Sequence, residues 1–395
     1  MNNSKQSSLD FSNTEIAFKA KSDADLRNSY MLFKALGLNW LVQIGPAFVN
    51  AAFAIYLPIK GIIKATVYKQ FCGGESIEDC VKTVNTLHSF GIGTILDYSV
   101  EGKEAEADFE HTTNETIKTI ANAQNNPKVP FSVFKVTGLA RLDLLNKVNE
   151  GKTLTSAEGD EFARVKERVN RICKTAFDKN VRLFIDAEET WIQNAIDNMV
   201  DEMMETYNKN EVIVFNTLQF YRHDRLAFLK QSHQRAIDKN YYLGIKLVRG
   251  AYMEKERERA QQFNYADPIQ PNKSASDEDY NEALQFCVKH IDRIAICSGT
   301  HNEESCVALV KIMDENGINK NDSRIYFSQL FGMSDNLSYN LANAGYNVAK
   351  YLPYGPVKSV LPYLFRRAQE NTSAKGQAGR ELSLILKEMK RRRLK

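Results

Sequence analysis

Tyr242–Gly250, YLGIKLVRG, is a short apolar run that ends in charge, with Lys246 and Arg249 at or beside its C-terminal end. Seven further runs share its character. Upstream lie TILDYSV (94–100), FSVFKVTG (131–138), RLFIDAE (182–188) and VIVFNTL (212–218). Downstream lie IAICSGT (294–300), IYFSQL (325–330) and VAKYLPYG (348–355). Runs apolar on both faces, separated by amphipathic helical patterns, imply parallel strands covered by helices. Leu142–Val148, Glu161–Phe177 and Ile192–Tyr207 carry that helical spacing, and Thr155 with Glu158 and Ser276 with Asp279 punctuate helix starts. Eight such βα units close into a (β/α)8 barrel. The connection after the fifth strand is the longest; its polar, Pro-containing part Tyr265–Asp279 is expected to form an ordered surface loop or lid.

The composition agrees with a soluble enzyme-sized chain. Of 395 residues, 43% are hydrophobic and 26% charged, and 52 Lys+Arg against 49 Asp+Glu leave a net charge of +3. That balance gives no electrostatic footprint for nucleic acid. Six cysteines without a CxxC pair exclude a disulfide scaffold and a zinc ribbon; Cys297 and Cys306 are expected as buried thiols.

The two ends differ from the middle. The polar start MNNSKQSSLDFSN is not followed closely by a signal-type apolar core. Ala35–Ile59 then runs without a charge, long enough to cross a bilayer, yet Asn39, Gln43, Asn50, Pro46 and Pro58 argue for a buried or interfacial helical pair. At the other end, Leu382, Ile385, Leu386 and Met389 fall at helical spacing before KRRRLK, a solvated helix end or a membrane-surface contact.

Polar residues collect where the runs end. In strand order they are Asp97 and Glu101, Lys135 and Thr137, Asp186 and Glu188, Gln219, Lys246 and Arg249, Thr300 and His301, Gln329, and Tyr351 with Tyr354. In a (β/α)8 barrel this end is the mouth, where active sites lie, and a structural protein has no reason to collect such groups there. The sequence holds no HExxH, no GxSxG, no P-loop and no GxGxxG, so no metal site and no Rossmann unit are expected. Past the last strand, GPVKSVLPYLFRRAQEN (355–371) places Arg366 beside Arg367 on a helix leaving the mouth, with Glu370 one turn on. Two guanidiniums can clamp one carboxylate through charge-assisted bonds, which points to a substrate such as an amino acid.

The set LDYSVE, KVTGL, IDAEE, KLVRGAY, GTHN, QLFGM and YLPYGPVKSVLPYLFRRAQEN, in that order from about Phe71 to Asn371, resembles proline dehydrogenase, in its single-function, mitochondrial-type branch. The resemblance implies a distorted (β/α)8 barrel at 71–371, with a helical extension at 1–70 and a basic amphipathic helix at 372–395. It implies FAD across the strand ends, L-proline as substrate, Δ1-pyrroline-5-carboxylate as product and a membrane quinone as electron acceptor. The expected setting is cytoplasmic, with a peripheral contact on the inner face of the membrane and no nucleic-acid partner.

By the same resemblance, Arg366, Arg367 and Lys135 bind the substrate carboxylate, Tyr252 and Tyr351 line the proline site, and Leu330 forms an apolar wall. Glu101 pairs with the first arginine on closure, and Glu370 organises the arginine helix. Asp186 positions and balances charge. Ala187, Gln219, Lys246, Arg249, Gly250, Ala251, Thr300 and His301 match cofactor contacts. Many relatives read RLVKGAY where this chain reads KLVRGAY; Lys246 keeps the positive charge near flavin N5 and loses the planar fork. Hydride transfer needs near-attack geometry and a neutral substrate amine, so the rate is expected to rise with pH. Two rivals stand beside this reading. A hydroxyproline dehydrogenase would use the same site, although the bulk of Tyr351 should crowd a ring hydroxyl. An aldolase with Lys135 or Lys246 as Schiff-base nucleophile would leave the arginine pair, Gln219 and GTHN without a role.

Overall fold

The computed structural model of the chain describes residues 9–55, 57–100, 104–373 and 377–394. Every apolar run becomes a strand: β1 Ile92–Tyr98, β2 Phe131–Lys135, β3 Arg182–Asp186, β4 Val214–Gln219, β5 Leu243–Val248, β6 Ile294–Gly299, β7 Ile325–Leu330 and β8 Val348–Tyr354. They close into a barrel in sequence order, each followed by helix, the α/β architecture expected from the pattern. The three helices expected from spacing are present as Leu142–Asn149, Ser156–Asp178 and Thr190–Tyr207. Thr155 and Glu158 form the reciprocal cap: Thr155 N donates to Glu158 Oε2 at 3.0 Å, and Glu158 N to Thr155 Oγ1 at 3.3 Å.

By compactness the chain divides into two units, one of Ile95–Tyr98 and Gly102–Ser328, the other of Met1–Thr94, Ser99–Glu101 and Gln329–Lys395. In the first, the inward side chains of β2, β3, β4 and β7 make an aromatic layer. The Phe131 ring stacks on Phe184 at 4.4 Å and meets Tyr326 edge-on at 4.8 Å, and Phe184 meets Phe215 at 5.2 Å. Gly244 on β5 makes room for it, because a Cβ there would lie 2.9 Å from a Phe215 ring carbon. The period of two then lifts the next inward residue of β3, Asp186, one layer toward the strand ends.

The second unit is built on one apolar cluster that includes Phe33, Tyr68, Phe71, Val357, Leu364, Ile385 and Met389. It joins the helices Asp23–Leu36, Leu361–Ser373 and Gln377–Arg391. Tyr68 donates to the Gly355 carbonyl at 2.9 Å, and Gln70 Nε2 to the Gly332 carbonyl at 2.7 Å. Gly332 has φ +77°, and a Cβ there would collide with the Gln70 carbonyl, so this approach requires glycine.

Three local expectations change. The Tyr265–Asp279 segment is not all loop: Asn272 caps a helix over Lys273–Lys289, its side chain accepting from Ala275 N at 2.9 Å. An Asx side chain four residues before Ser276 outcompetes the Ser276–Asp279 start, and the loop reduces to the stretch before Asn272. Between Ala35 and Ile59 one helix, Asn39–Ala54, passes through Pro46 rather than breaking there. The fixed φ of proline is helical, so the chain can continue with the loss of one hydrogen bond. No described helix is long and apolar enough to cross a membrane. At the C-terminus the buried face is Leu384, Ile385 and Met389, while Leu386 is exposed. The basic end is engaged within its own unit: Arg392 pairs with Glu388 and Asp23 and donates to the Phe18 and Lys21 carbonyls, each at 2.8 Å.

Candidate active site

In the β2–β6 unit the chemistry-bearing residues stand at strand ends. Lys135 ends β2 in direct register with Asp186, which ends β3. From β5, the buried Lys246 reaches Oδ1 of the half-buried Asp186 in an ion pair, with its ammonium 5.3 Å above the Phe184 ring. The pair therefore rests on the aromatic layer, in a setting where an unpaired charge would be strongly disfavoured.

The segment after Asp186 is tied down by its own acid. The buried carboxylate of Glu188 accepts from Thr137 N at 3.0 Å and from Thr137 Oγ1, joining the ends of β2 and β3. Burial pushes its pKa up to about 7. The Glu188 carbonyl accepts from Gln219 Nε2 at 2.8 Å, which turns the amide at the end of β4. Gln219 Oε1 is left buried with no protein donor.

After β5, Arg249 is held from several sides. Its guanidinium donates to Asp277 at 2.7 Å and Thr300 Oγ1 at 2.6 Å, and it lies 3.9 Å over the Tyr280 ring. Gly250 follows with φ +69°, a conformation that turns the chain away from the strand. Ala251 is exposed, Tyr252 half-buried at the start of the Met253–Phe263 helix, Ala187 and Thr300 buried, and His301 half-buried. Thus Lys135, Asp186, Ala187, Gln219, Arg249, Gly250, Ala251, Tyr252, Thr300 and His301 lie at or just beyond strand C-terminal ends of one compact unit, with Lys246 two residues before the end of β5.

The other unit holds the remaining residues. Leu330 ends β7, and Tyr351 is buried on β8, its carbonyl accepting from Phe331 N at 2.8 Å. Arg366 and Arg367 lie on the Leu361–Ser373 helix, the first half-buried and the second buried. Arg367 pairs with Glu370 at 2.5 Å and stands 5.2 Å over the Tyr363 ring, so the helix acid orients the second guanidinium. Glu101 falls outside the described residues.

Three supporting groups escaped the sequence reading. Asp277, the partner of Arg249, sits in a stretch taken for loop; its four-residue spacing from Lys273, to which it also pairs, was the available signal. Glu256 is fully buried and accepts from Thr190 N at 2.7 Å and Thr190 Oγ1 at 2.6 Å, so one helix after β5 caps the helix after β3. Lys350 on β8 is fully buried and pairs with Asp335 at 2.9 Å.

A model of the proline dehydrogenase family matches residues 80–380. The chain belongs to the proline dehydrogenase family. Mitochondrial proline dehydrogenase 1 of Dictyostelium discoideum is 31% identical to it, over 99% of this chain and 76% of that protein. A carbapenem antibiotics biosynthesis protein, CarD, of Pectobacterium carotovorum subsp. carotovorum is 35% identical, over 84% of this chain and 86% of the other. A hydroxyproline dehydrogenase of Xenopus laevis is 31% identical over 98% and 91%. Among solved structures, proline utilization A of Bdellovibrio bacteriovorus superposes with a TM-score of 0.71 at 19% identity, covering 91% of this chain, which spans 38% of that larger one. That likeness establishes the barrel, and family membership establishes an oxidoreductase acting on proline.

Proposed function

We propose that this proline dehydrogenase converts L-proline to Δ1-pyrroline-5-carboxylate with FAD as resident cofactor and a membrane quinone as final electron acceptor, working in the cytoplasm at the inner face of the membrane. The observation that carries the reading is the ion pair of the buried Lys246 with Asp186 beside Gln219, whose Oε1 lacks a donor. A buried acceptor left without a partner fits a bound group that brings its own N–H or O–H. Gln219, Arg249, Thr300 and His301, with Ala187 and the Gly250–Ala251 turn, would hold that group, and Lys246 would face its electron-accepting part. FAD, when bound, supplies the acceptor for the hydride that proline loses from the ring carbon beside nitrogen.

The rest is done by the chain. Arg366 and Arg367, with Lys135, take the substrate carboxylate, and Glu370 keeps Arg367 in line. Their positive charge also favours loss of the ammonium proton from proline, which frees the nitrogen lone pair to assist hydride departure. Asp186 holds Lys246 buried and directed, so that its charge needs no reorganisation during the reaction.

The Xenopus relative makes hydroxyproline the one rival substrate with a specific observation behind it. Tyr351, buried on β8, favours proline because its ring leaves less room for a hydroxyl. The test is the visible spectrum of the purified protein before and after anaerobic L-proline. Flavin bands that bleach with proline, faster as pH rises through neutrality, are expected. Bleaching with hydroxyproline alone would transfer the substrate assignment, and a colourless protein that FAD cannot reconstitute would end it.

A further inference from the structure

From Ala35 to Ile59 the sequence contains no Asp, Glu, Lys or Arg, and Lys34 and Lys60 bracket the stretch, with Lys64 four residues on. Most of it forms the Asn39–Ala54 helix. One side of that helix packs against the Leu361–Ser373 and Asp23–Leu36 helices, with Val49 on the apolar cluster. Another stripe is bare among the described side chains. Trp40, Ile44 and Phe48, spaced four apart and therefore on one stripe, are 59–63% exposed, and Ile55 and Ile62 beyond the helix are 68% and 66% exposed. Leu38 and Leu57 are exposed as well. Scattered exposed apolar side chains need no explanation, but a run of them along one charge-free segment marks a surface that meets something apolar.

We infer that this face is a docking surface for an anionic lipid bilayer, with Trp40, Ile44 and Phe48 entering the headgroup and acyl boundary. The charges choose the occupant. Those bordering the stretch are net positive: Lys34, Lys60 and Lys64 are all exposed, against the single carboxylate of Glu75, which the last two share at 3.1 and 2.6 Å. A two-fold interface between copies would turn such a net-positive rim back on itself, whereas anionic headgroups would be drawn to it. Lysine stems flanking an apolar stripe can also lie along it while their ammonium groups stay in water. A tryptophan at one end of the stripe suits the interface, where a ring with one polar edge is favoured. The basic C-terminal tail is the poorer candidate, since Arg391 and Arg392 are occupied by Glu388 and by groups near the N-terminus. That the bilayer is where the enzyme meets its oxidant rests on the proposed function; the docking surface itself does not.

The chain has two tryptophans, Trp40 and Trp191, which makes the test direct. The holoenzyme carrying Trp191→Phe is mixed with phosphatidylcholine vesicles with or without phosphatidylglycerol, some with brominated acyl chains. Blue-shifted, bromine-quenched Trp40 emission, strongest with the anionic lipid, is the expected result. Ile44→Ser with Phe48→Ser, both exposed and so harmless to folding, should weaken vesicle flotation at least about tenfold. Proline oxidation with a water-soluble dye should be unchanged in that variant. Unquenched Trp40, or a double variant that floats like its parent, overturns the inference. So does a chain that sediments as a dimer in buffer and becomes a monomer on Phe48→Glu, because the face is then covered by a second copy. Quenching without dye activity would leave the surface standing and remove the proposed reaction; dye activity without quenching would do the reverse.

Discussion

Lys246 and Lys350 are both buried lysines on barrel strands, each facing an aspartate, and they answer to different needs. Lys246 on β5 meets the Asp186 carboxylate across the barrel interior, above the Phe184 ring. Lys350 on β8 donates to the Met333 carbonyl at 2.5 Å, the Leu330 carbonyl at 3.4 Å and Asp335 at 2.9 Å. The second set of partners is mostly backbone from the turn after β7, so the ammonium serves as a staple for that turn. The first is a side chain at a strand end, where the polar residues of the unit gather. A buried strand lysine is therefore no catalytic signal by itself; the kind of acceptor it meets decides.

The largest effect that could break this contrast is on stability. Lys350→Met strands Asp335 and leaves two turn carbonyls without their donor. Loss of one member of a buried pair costs about 3–5 kcal/mol, and Lys21, 3.6 Å from Asp335, should hold the value toward the lower end. Urea unfolding at pH 7 measures it. A loss below roughly 1 kcal/mol would show that the staple is not needed.

The next effect should appear in rate. Lys246→Met combined with Asp186→Leu removes both charges, so the buried-ion penalty disappears with the pair and folding should survive. Cofactor bleaching by proline, per flavin bound, should nonetheless fall about a hundredfold, roughly 2.7 kcal/mol. Full activity in a stable double variant would place Lys246 with Lys350 as a structural residue.

The contrast also shows where sequence reasoning reaches and stops. Eight apolar runs predicted eight strands because strands buried on both faces carry little polar sequence, and charge placed at their ends then stands out. Lys246 and Asp186 were visible for that reason. Lys350 was not, since it lies toward the start of its run, away from the strand end, its partner precedes it by fifteen residues on the chain, and nothing in VAKYLPYG says which way it points. Asp277 was missed for a different cause: the Pro-containing segment masked a helix whose cap, Asn272, is a single side chain. The bare stripe of the Asn39–Ala54 helix likewise needed the structure, because a charge-free segment reads the same whether one face or none is covered.

The smallest effect is in pH, where the two regions should behave alike in direction and differ in consequence. Each lysine pair has a buried glutamate near it: Glu188 beyond Asp186, and Glu381, which accepts from Ser334 N at 2.5 Å next to Asp335. Burial pushes both acids up to about 7. An acid whose folded pKa is raised stays protonated in the native state while the unfolded chain ionises near 4.5. The unfolded state then binds fewer protons, so stability is full below about pH 4.5 and is lost as pH climbs to about 7. Glu381→Gln should flatten that decline by about 1–2 kcal/mol between pH 5 and 8 and leave the bleaching rate alone. Glu188→Gln should flatten it too, but it also loosens the Thr137–Glu188–Gln219 chain, so cofactor retention should weaken. Stability slopes for Glu381→Gln that match the parent, or cofactor retention in Glu188→Gln that matches it, would leave the two glutamates indistinguishable and the contrast confined to the lysines.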